Sequence, residues 1–370
     1  MESPVLLPTT NAKPLIKRPV RPIGLYDLTL DELTVWMREH GQPAYRAKQI
    51  FAFAYQQLVT SYDEMTNLPA ALRAQLVTDL PMGTMTTVNE VQSSSGDTIK
   101  TLYQTAPGDL VETVLMLYQA RATVCVSCQV GCAVGCAFCA TGLMGLDRNL
   151  TTGEMVSQVL GAARGAQARR RSLTNLVMMG MGEPFHNYPA TIKQLKILND
   201  PAGFGMGARR MTISTSGVVP FIDRLAGEPL QVNLAVSLHA PNDELRSSLV
   251  PINRKHPIDE LMESLDRYTY KTGRRVSFEY ALMSGINDSD AIADEFARLI
   301  RGRLCHVNLI PLNPVSVLPY ERPTAERIER FAQRVAANGT SVTVRYSRGI
   351  DISAACGQLR VEHESKAAAE

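Results

Sequence analysis

The sequence predicts an α/β protein: a partial (βα)6 barrel, preceded by a small N-terminal helical domain and a connecting β-hairpin. Three observations predict it. Residues 27–80 carry helical periodicity with capping signals. Two β-rich runs, "TIKTLYQT" and "LVETVLMLYQ", flank the turn signal "APGD". From position 122 onward, six runs rich in Val, Ile and Leu alternate with amphipathic helices, as in a parallel sheet covered on both faces.

In chain order, residues 1–26 read as a flexible leader rich in Pro, Lys and Arg. Residues 27–85 form the helical domain. Thr29 and Glu32 have capping-box spacing before "LTVWMREHG", and Gly41 stops that helix. Pro43 opens the next, with Ile50, Phe53, Ala54 and Leu58 on one face. Ser61 and Glu64 form a second box before "MTNLPAALRAQL". Its mixed charges predict a separate docking or structural unit, and Arg46 and Lys48 a solvated face. Residues 86–120 are the hairpin connector, 121–360 the barrel and 361–370 a tail. The barrel strands are "ATVCVS", "LTNLVMMG", "RMTISTSG", "QVNLAVSLHA", "RVSFEYALM" and "LCHVNLIPL". Thr151 and Glu154 cap a helix with Val156, Val159, Leu160 and Ala163 on one stripe, and further helices follow at "PIDELMESLDRYTYK", "DAIADEFARLIRG" and "PTAERIERFAQRVAANG".

Composition sets bounds. The chain has 370 residues, 45% hydrophobic and 20% charged, with net charge +2. No run of about 18 apolar residues could span a membrane, and no signal-peptide layout opens the chain. The expected compartment is the reducing cytoplasm, where clustered cysteines indicate metal binding or catalysis rather than disulfide staples. Charge alone selects no partner. Arg164, Arg169, Arg170 and Arg171 form the most basic short stretch, with no acidic residue between Glu154 and Glu183, which suits either a phosphate contact or a solvated loop.

In such barrels the chemistry sits where strands end and loops begin, and the unusual residues fall there. Five of the seven cysteines lie between positions 125 and 139. Cys132-x-x-x-Cys136-x-x-Cys139 follows the first barrel strand. Three thiolates so spaced can hold a four-iron cluster with one iron left open. Cys125-x-x-Cys128 and Cys136-x-x-Cys139 also make two C-x-x-C pairs, a possible four-thiolate zinc site, although only seven residues separate them. Gly180, Gly182 and Glu183 in "MGMGEP" follow the second strand, where glycines permit close backbone approach to a ligand and the carboxylate can accept from an amino group. Ser214 ends the third strand, Ser237 and His239 the fourth, and Asn313 follows the sixth with an amide able to read an adenine edge or a ribose hydroxyl. Cys356 sits among small residues in "DISAACGQL", Cys305 begins the sixth strand as a core residue, and Cys128 has no assigned role.

Taken together, "CVSCQVGCAVGCAFCATGLMGLDRNLT", "MMGMGEPFHNY", "TISTSGVVP", "AVSLHAPND", "VSFEYALMSGIND", "NLIPLNP" and "SRGIDISAACGQL" resemble the radical S-adenosylmethionine enzymes that methylate adenine C2 in 23S rRNA and at adenosine 37 of certain tRNAs. The resemblance covers roughly positions 27–360, including an N-terminal RNA-docking domain. It implies a radical S-adenosylmethionine barrel whose Cys132, Cys136 and Cys139 hold a 4Fe-4S cluster. It places S-adenosylmethionine on Gly182, Glu183, Ser214, Ser237, Leu238, His239 and Asn313. It further implies that Cys356 is methylated by one S-adenosylmethionine, that a 5′-deoxyadenosyl radical from a second takes a hydrogen from that methyl, and that the methylene radical adds to C2. Glu112 is then the proton acceptor, and Cys125 attacks the Cys356 sulfur, forming a disulfide and freeing the base. The implied partners are 23S rRNA, tRNA and an electron donor such as a flavodoxin-type protein, with the chain acting as a monomer. The alternatives are methylation at C8 of the same adenosine, and a non-catalytic iron–sulfur or zinc RNA-binding protein.

Overall fold

The hydroxyl of Thr29 accepts from the Glu32 N–H at 3.2 Å, and the Glu32 carboxylate accepts from the Thr29 N–H at 2.8 Å. This reciprocal box opens α1 (Leu30–Glu39), as the sequence predicts. The computed structural model describes residues 23–83, 85–314, 318–346 and 349–352. Helices α2 (Tyr45–Tyr55) and α3 (Ala70–Asp79) complete the N-terminal unit. The Ser61–Glu64 box exists, but it caps a single 3-10 turn, Tyr62–Glu64; α3 starts only after Pro69, whose missing N–H suits the head of a helix.

Three strands follow, one more than the hairpin the sequence predicts: β1 (Met85–Gln92), β2 (Thr98–Thr105) and β3 (Leu110–Leu117), all antiparallel. They are not a detached connector. β3 pairs antiparallel with β4 (Ala122–Cys125), the first barrel strand, so one ten-stranded sheet runs through both parts. From β4 the sheet is parallel, in the order β4, β7 (Leu173–Met178), β8 (Met211–Thr215), β9 (Asn233–Ser237), β10 (Val276–Leu282), β11 (Cys305–Pro311) and β12 (Ser341–Val344). The six expected strands are present. β12 is a seventh, shorter and half-exposed. A small hairpin outside the sheet, β5 (Gln129–Gly131) with β6 (Leu146–Asn149), brackets the cysteine loop.

Helices α5 (Thr152–Ala168), α9 (Ile258–Thr272), α10 (Asp290–Leu299) and α11 (Ala325–Ala336) cover the strands as expected. Helices α4 (Ala140–Leu143), α6 (Tyr188–Asn199), α7 (Val219–Leu225) and α8 (Asp243–Leu249) fill the remaining crossovers. No helix among the described residues is long and apolar enough to cross a membrane.

The helical unit and the barrel share packing. Val156 and Leu160 of α5 and Ile197 of α6 are fully buried in the core of the N-terminal unit with Leu33, Phe51 and Leu76. On the same α5, Met155, Val159 and Ala162 face the main core. The Gly153 N–H donates to Asp27 at 2.6 Å, and Lys193 pairs with Glu32 at 2.8 Å. α5 thus contributes side chains to both cores.

Candidate active site

Parallel strands all end at one edge of their sheet, and every residue singled out between β7 and β11 lies at that edge. Gly182 and Glu183 follow β7, Ser214 is on the last turn of β8, Ser237 ends β9 with Leu238 and His239 just beyond, and Asn313 follows β11. The cysteine loop spans the β5–β6 hairpin over the same rim. Its approach depends on Gly131 (φ +78°), where a Cβ would lie 1.9 Å from the Gly145 carbonyl oxygen; the next amide, Cys132 N–H, donates to that oxygen at 2.8 Å. On the other side, the Ala137 N–H donates to the Leu249 carbonyl at the end of α8 at 3.0 Å.

Cys132, Cys136 and Cys139 are free thiols, each partly exposed; the charge of Cys139 acts on Cys132, and those of Cys132 and Cys139 on Cys136. Burial pushes all three thiols up, Cys132 to about 12. Local N–H groups already point at two of the sulfurs: Val134 and Gly135 at Cys132, Thr141 and Gly142 at Cys139. Val134, Ala240, Leu249, Val250, Met283 and Leu312 form an apolar pocket against which Cys132, Cys136 and Phe138 pack. Among the described residues, no three Cys, His, Asp or Glu side chains converge tightly enough for a single metal ion. Three thiols on one loop, two of them packed on an apolar cluster and two with amides aimed at sulfur, suit an iron–sulfur cluster.

Asn313 Oδ1, just after β11, is a buried atom that accepts no hydrogen bond from the described residues. It is a free acceptor for a ligand amino or hydroxyl group. The hydroxyls of Ser214 and Ser237 hydrogen-bond to none of the described residues. Glu183 is 3% exposed, and its Oε1 accepts from Phe185 N–H at 3.0 Å, while its Oε2 accepts from both the N–H and the hydroxyl of Ser216 at 2.7 Å. A carboxylate has about four lone-pair positions, so one remains, on Oε1. The close approach at Gly180 and Gly182 is to the protein's own chain. A Cβ on Gly180 would lie 2.6 Å from the Val126 carbonyl oxygen, and one on Gly182 2.6 Å from the Gln129 Cβ. These glycines seat the β7 loop on the segment from Val126 to Gln129.

His239 sits at φ +62°, a strained region for a residue with a side chain. Its Nδ1 accepts the Ala281 N–H at 2.9 Å, which assigns the proton to Nε2, and its ring meets Phe138 edge to face at 4.8 Å. Burial, reinforced by Arg246, lowers its pKa to about 3, so it is a neutral donor at physiological pH. Leu238 is fully buried, and its N–H donates to the Glu279 carbonyl at 3.0 Å.

Cys125 ends β4 and is half-buried; burial, then the charge of Glu112, push its thiol up to about 12, against the pull of the Met179 N–H and Lys100. Glu112, on β3, is 3% exposed. Cys128 belongs to the main core at 2% exposure, so the residue without an assigned role is a packing residue. Cys305 is buried at 8%, as expected for the core. Cys356 lies outside the described residues, as does any bond it makes.

Three buried polar residues escaped the sequence reading. Gln158 of α5 accepts from Ser127 N–H and Thr113 Oγ1, both at 2.8 Å, and donates to the Ser127 carbonyl at 2.9 Å, clamping the chain between Cys125 and Cys128. Ser127 Oγ donates to the Glu112 carbonyl at 2.6 Å and accepts from Met181 N–H at 3.0 Å, tying β3 to the β7 loop. Arg246 of α8, wholly buried, donates to the carbonyls of Ser216, Ser237 and Leu238 and to Asn253 Oδ1, gathering the ends of β8 and β9. A polar residue inside an amphipathic helix gives no sequence signal that separates a clamp of this kind from a solvated side chain.

Comparison with known proteins follows the same lines. Residues 126–296 match the radical SAM superfamily, and residues 23–80 match the N-terminal domain of ribosomal RNA large subunit methyltransferases. The probable dual-specificity RNA methyltransferase RlmN of Lysinibacillus sphaericus is 46% identical, aligned over 93% of this chain and 90% of its own. Its counterpart from Halalkalibacterium halodurans is 47% identical over 93% and 94%. A crystal structure of a radical SAM methyltransferase from Sphaerobacter thermophilus superposes with a TM-score of 0.90 at 64% identity, covering 91% of this chain and 99% of the other.

Proposed function

The chain belongs to the dual-specificity RNA methyltransferase family of the radical SAM superfamily, and from that premise we propose that it methylates adenine C2 in 23S rRNA and at position 37 of tRNAs through a methylated Cys356. It is an enzyme that uses S-adenosylmethionine and an iron–sulfur cluster to methylate RNA. The single observation that carries the site assignment is the meeting, on one rim, of three unpaired thiols with a second, separate pair, Cys125 and Glu112. A protein that merely held a cluster would need only the first set.

Cys132, Cys136 and Cys139 would hold the cluster, which supplies single-electron chemistry at an iron left open for a chelating substrate. The free lone pair of Glu183, the Gly182 turn, the hydroxyls of Ser214 and Ser237, the backbone at Leu238, the Nε2–H of neutral His239 and the open Oδ1 of Asn313 bind and orient S-adenosylmethionine. The apolar wall of Val134, Leu249, Met283 and Leu312 keeps water from the reacting centre. Glu112 takes the C2 proton. Cys125 supplies the sulfur that displaces the base from Cys356: its S–H proton leaves as the S–S bond forms, while the methylene carbon keeps the electron pair of the broken C–S bond and takes a proton to become the methyl group. The reading extends to a flavodoxin-type electron donor, a monomeric chain and a cytoplasmic setting.

The test is mass spectrometry of digested 23S rRNA from a strain lacking this chain, with and without its return. A methyl restored at C2 supports the proposal. A methyl at C8 selects the other regiochemistry, and no methyl refutes both.

A further inference from the structure

Beside Glu112 and Cys125 stands a third ionisable side chain. The sheet register places Lys100 opposite Val114, and Val114 opposite Cys125, so the three form one row across β2, β3 and β4. Partners in a row share a face, and so does a residue two positions along. Glu112, two residues before Val114, is therefore on that face and diagonal to both Lys100 and Cys125. Lys100 Nζ lies 3.0 Å from Glu112 Oε2, with the two side chains 0% and 3% exposed. Among the described residues, charged and titratable groups act on this corner from three elements: Lys100 from β2, Cys125 from β4 and Cys139 from the cysteine loop.

Stability does not account for this pair. Desolvating two charges offsets most of their attraction, and apolar residues of the same size often serve a fold as well. Leu102, directly opposite Glu112 on the same face and fully buried, is such a residue.

We propose that Lys100 is the positioning residue for the proton acceptor Glu112, holding its carboxylate aimed through the buried 3.0 Å contact while it waits for substrate. This rests on the reading of Glu112 as the group that takes the C2 proton. A lone carboxylate can rotate away from its substrate, and a cation at contact distance fixes where its oxygens point. In the step, the adenine C2–H bond breaks and its electron pair stays on the base. The proton passes to a Glu112 oxygen, and Lys100 keeps its three protons and remains a donor to the acid so formed. Lys100 touches neither RNA nor cluster.

The test compares wild type, Lys100→Met, Lys100→Arg, Glu112→Gln and Lys100→Met/Glu112→Gln, with RNA carrying hydrogen or deuterium at the target C2. Lys100→Met is expected to release 5′-deoxyadenosine at the wild-type rate but to methylate about 10²-fold more slowly, with a primary isotope effect absent from wild type. Lys100→Arg restores methylation, and Lys100→Met adds nothing on the Glu112→Gln background. Lys100→Gln, which keeps a donor toward Glu112 but no charge, stands in if Lys100→Met does not fold. Equal loss of 5′-deoxyadenosine and methylation, an unchanged isotope effect, or multiplicative losses in the double variant would overturn the assignment. Full methylation by Glu112→Gln overturns the reading of Glu112 itself.

Discussion

Replacing Gly182 by Ala tests how the S-adenosylmethionine rim is seated. Gly182 has φ +105°, and an added Cβ would lie 2.6 Å from Gln129 Cβ and 2.8 Å from Gln129 N. Two costs add. A side chain in that backbone region is strained by about 1–3 kcal/mol, and forcing a methyl into a packed interior costs about 1–3 kcal/mol more. The expected loss is about 2–6 kcal/mol, a large part of the 5–15 kcal/mol typical of a folded domain. Gln129 is not free to step aside, because its Oε1 accepts the Glu183 N–H at 2.8 Å and its Nε2 donates to Asn149 at 2.7 Å. Any shift of Gln129 therefore moves Glu183, so S-adenosylmethionine binding falls together with stability. Urea unfolding and equilibrium binding of S-adenosylmethionine measure the two. Gly207→Ala is the control: its Cβ meets nothing within 4 Å and its φ is not positive, so it should be neutral or stabilising by up to about 1 kcal/mol. A Gly182→Ala loss under about 1 kcal/mol, within the spread of ordinary substitutions, would refute the packing argument. Lost stability with unchanged binding would refute the link to Glu183.

Further outcomes follow from the same geometry. Cys132→Ala, Cys136→Ala and Cys139→Ala each abolish iron retention, whereas Cys128→Ser keeps it; an iron-loaded Cys132→Ala protein would show the ligand set to be misread. Cys125→Ala accumulates a covalent protein–RNA species on the "AACGQL" peptide, and the buried Cys128 gives no rescue; peptide mass spectrometry after ribonuclease digestion decides. The His239 pKa near 3 is below its unfolded value of 6.5, so the unfolded chain binds the extra proton between them. Stability is then full above about pH 6.5 and falls as pH drops toward 3, by about 1.4 kcal/mol per pH unit from this residue. His239→Gln should remove that slope from urea unfolding measured between pH 5 and 7, and an unaltered slope would contradict the buried neutral ring. Deleting residues 23–80 bares Val156, Leu160 and Ile197, so the truncated barrel should aggregate or melt early; a stable, monomeric barrel by light scattering and thermal unfolding would show the shared core to be dispensable.

Much of this was legible beforehand because each barrel strand is an apolar run ending at a chemically unusual residue. Cys125, Ser214, Ser237 and Asn313 all mark strand ends, and a parallel sheet brings its strand ends together whatever the loops do. The Thr29–Glu32 and Thr151–Glu154 boxes were legible for a local reason, since both partners lie within one turn. What was not legible depends on register or on distance in sequence. Lys100 in "TIKTLYQT" reads as an exposed strand lysine until β2, β3 and β4 are aligned. Gln158 and Arg246 look like ordinary polar positions on short helical stretches, because their partners, Ser127 and Ser216, are about 30 residues away. The glycines of "MGMGEP" are read from sequence as places where a ligand approaches, whereas the atoms that press on them belong to Val126 and Gln129, which spacing alone does not reveal. β12 escaped notice because "SVTV" is short and alternates exposed with half-buried positions.

The position of α5 has a consequence for how a large RNA can be handled. Leu160 is anchored in the helical unit, Val159 in the sheet, and Gln158 on the backbone beside Cys125, all within one turn of a rigid rod. A hinge between grip and reaction centre would have to tear two cores at once. The enzyme is in this sense a fixed jig, and the work of alignment falls on the nucleic acid. The target adenosine must be unstacked and swung out to reach the rim, at a cost of a few kcal/mol that is smallest where the base is already unpaired. Discrimination among RNAs would then track how easily each one deforms, more than which bases flank the target.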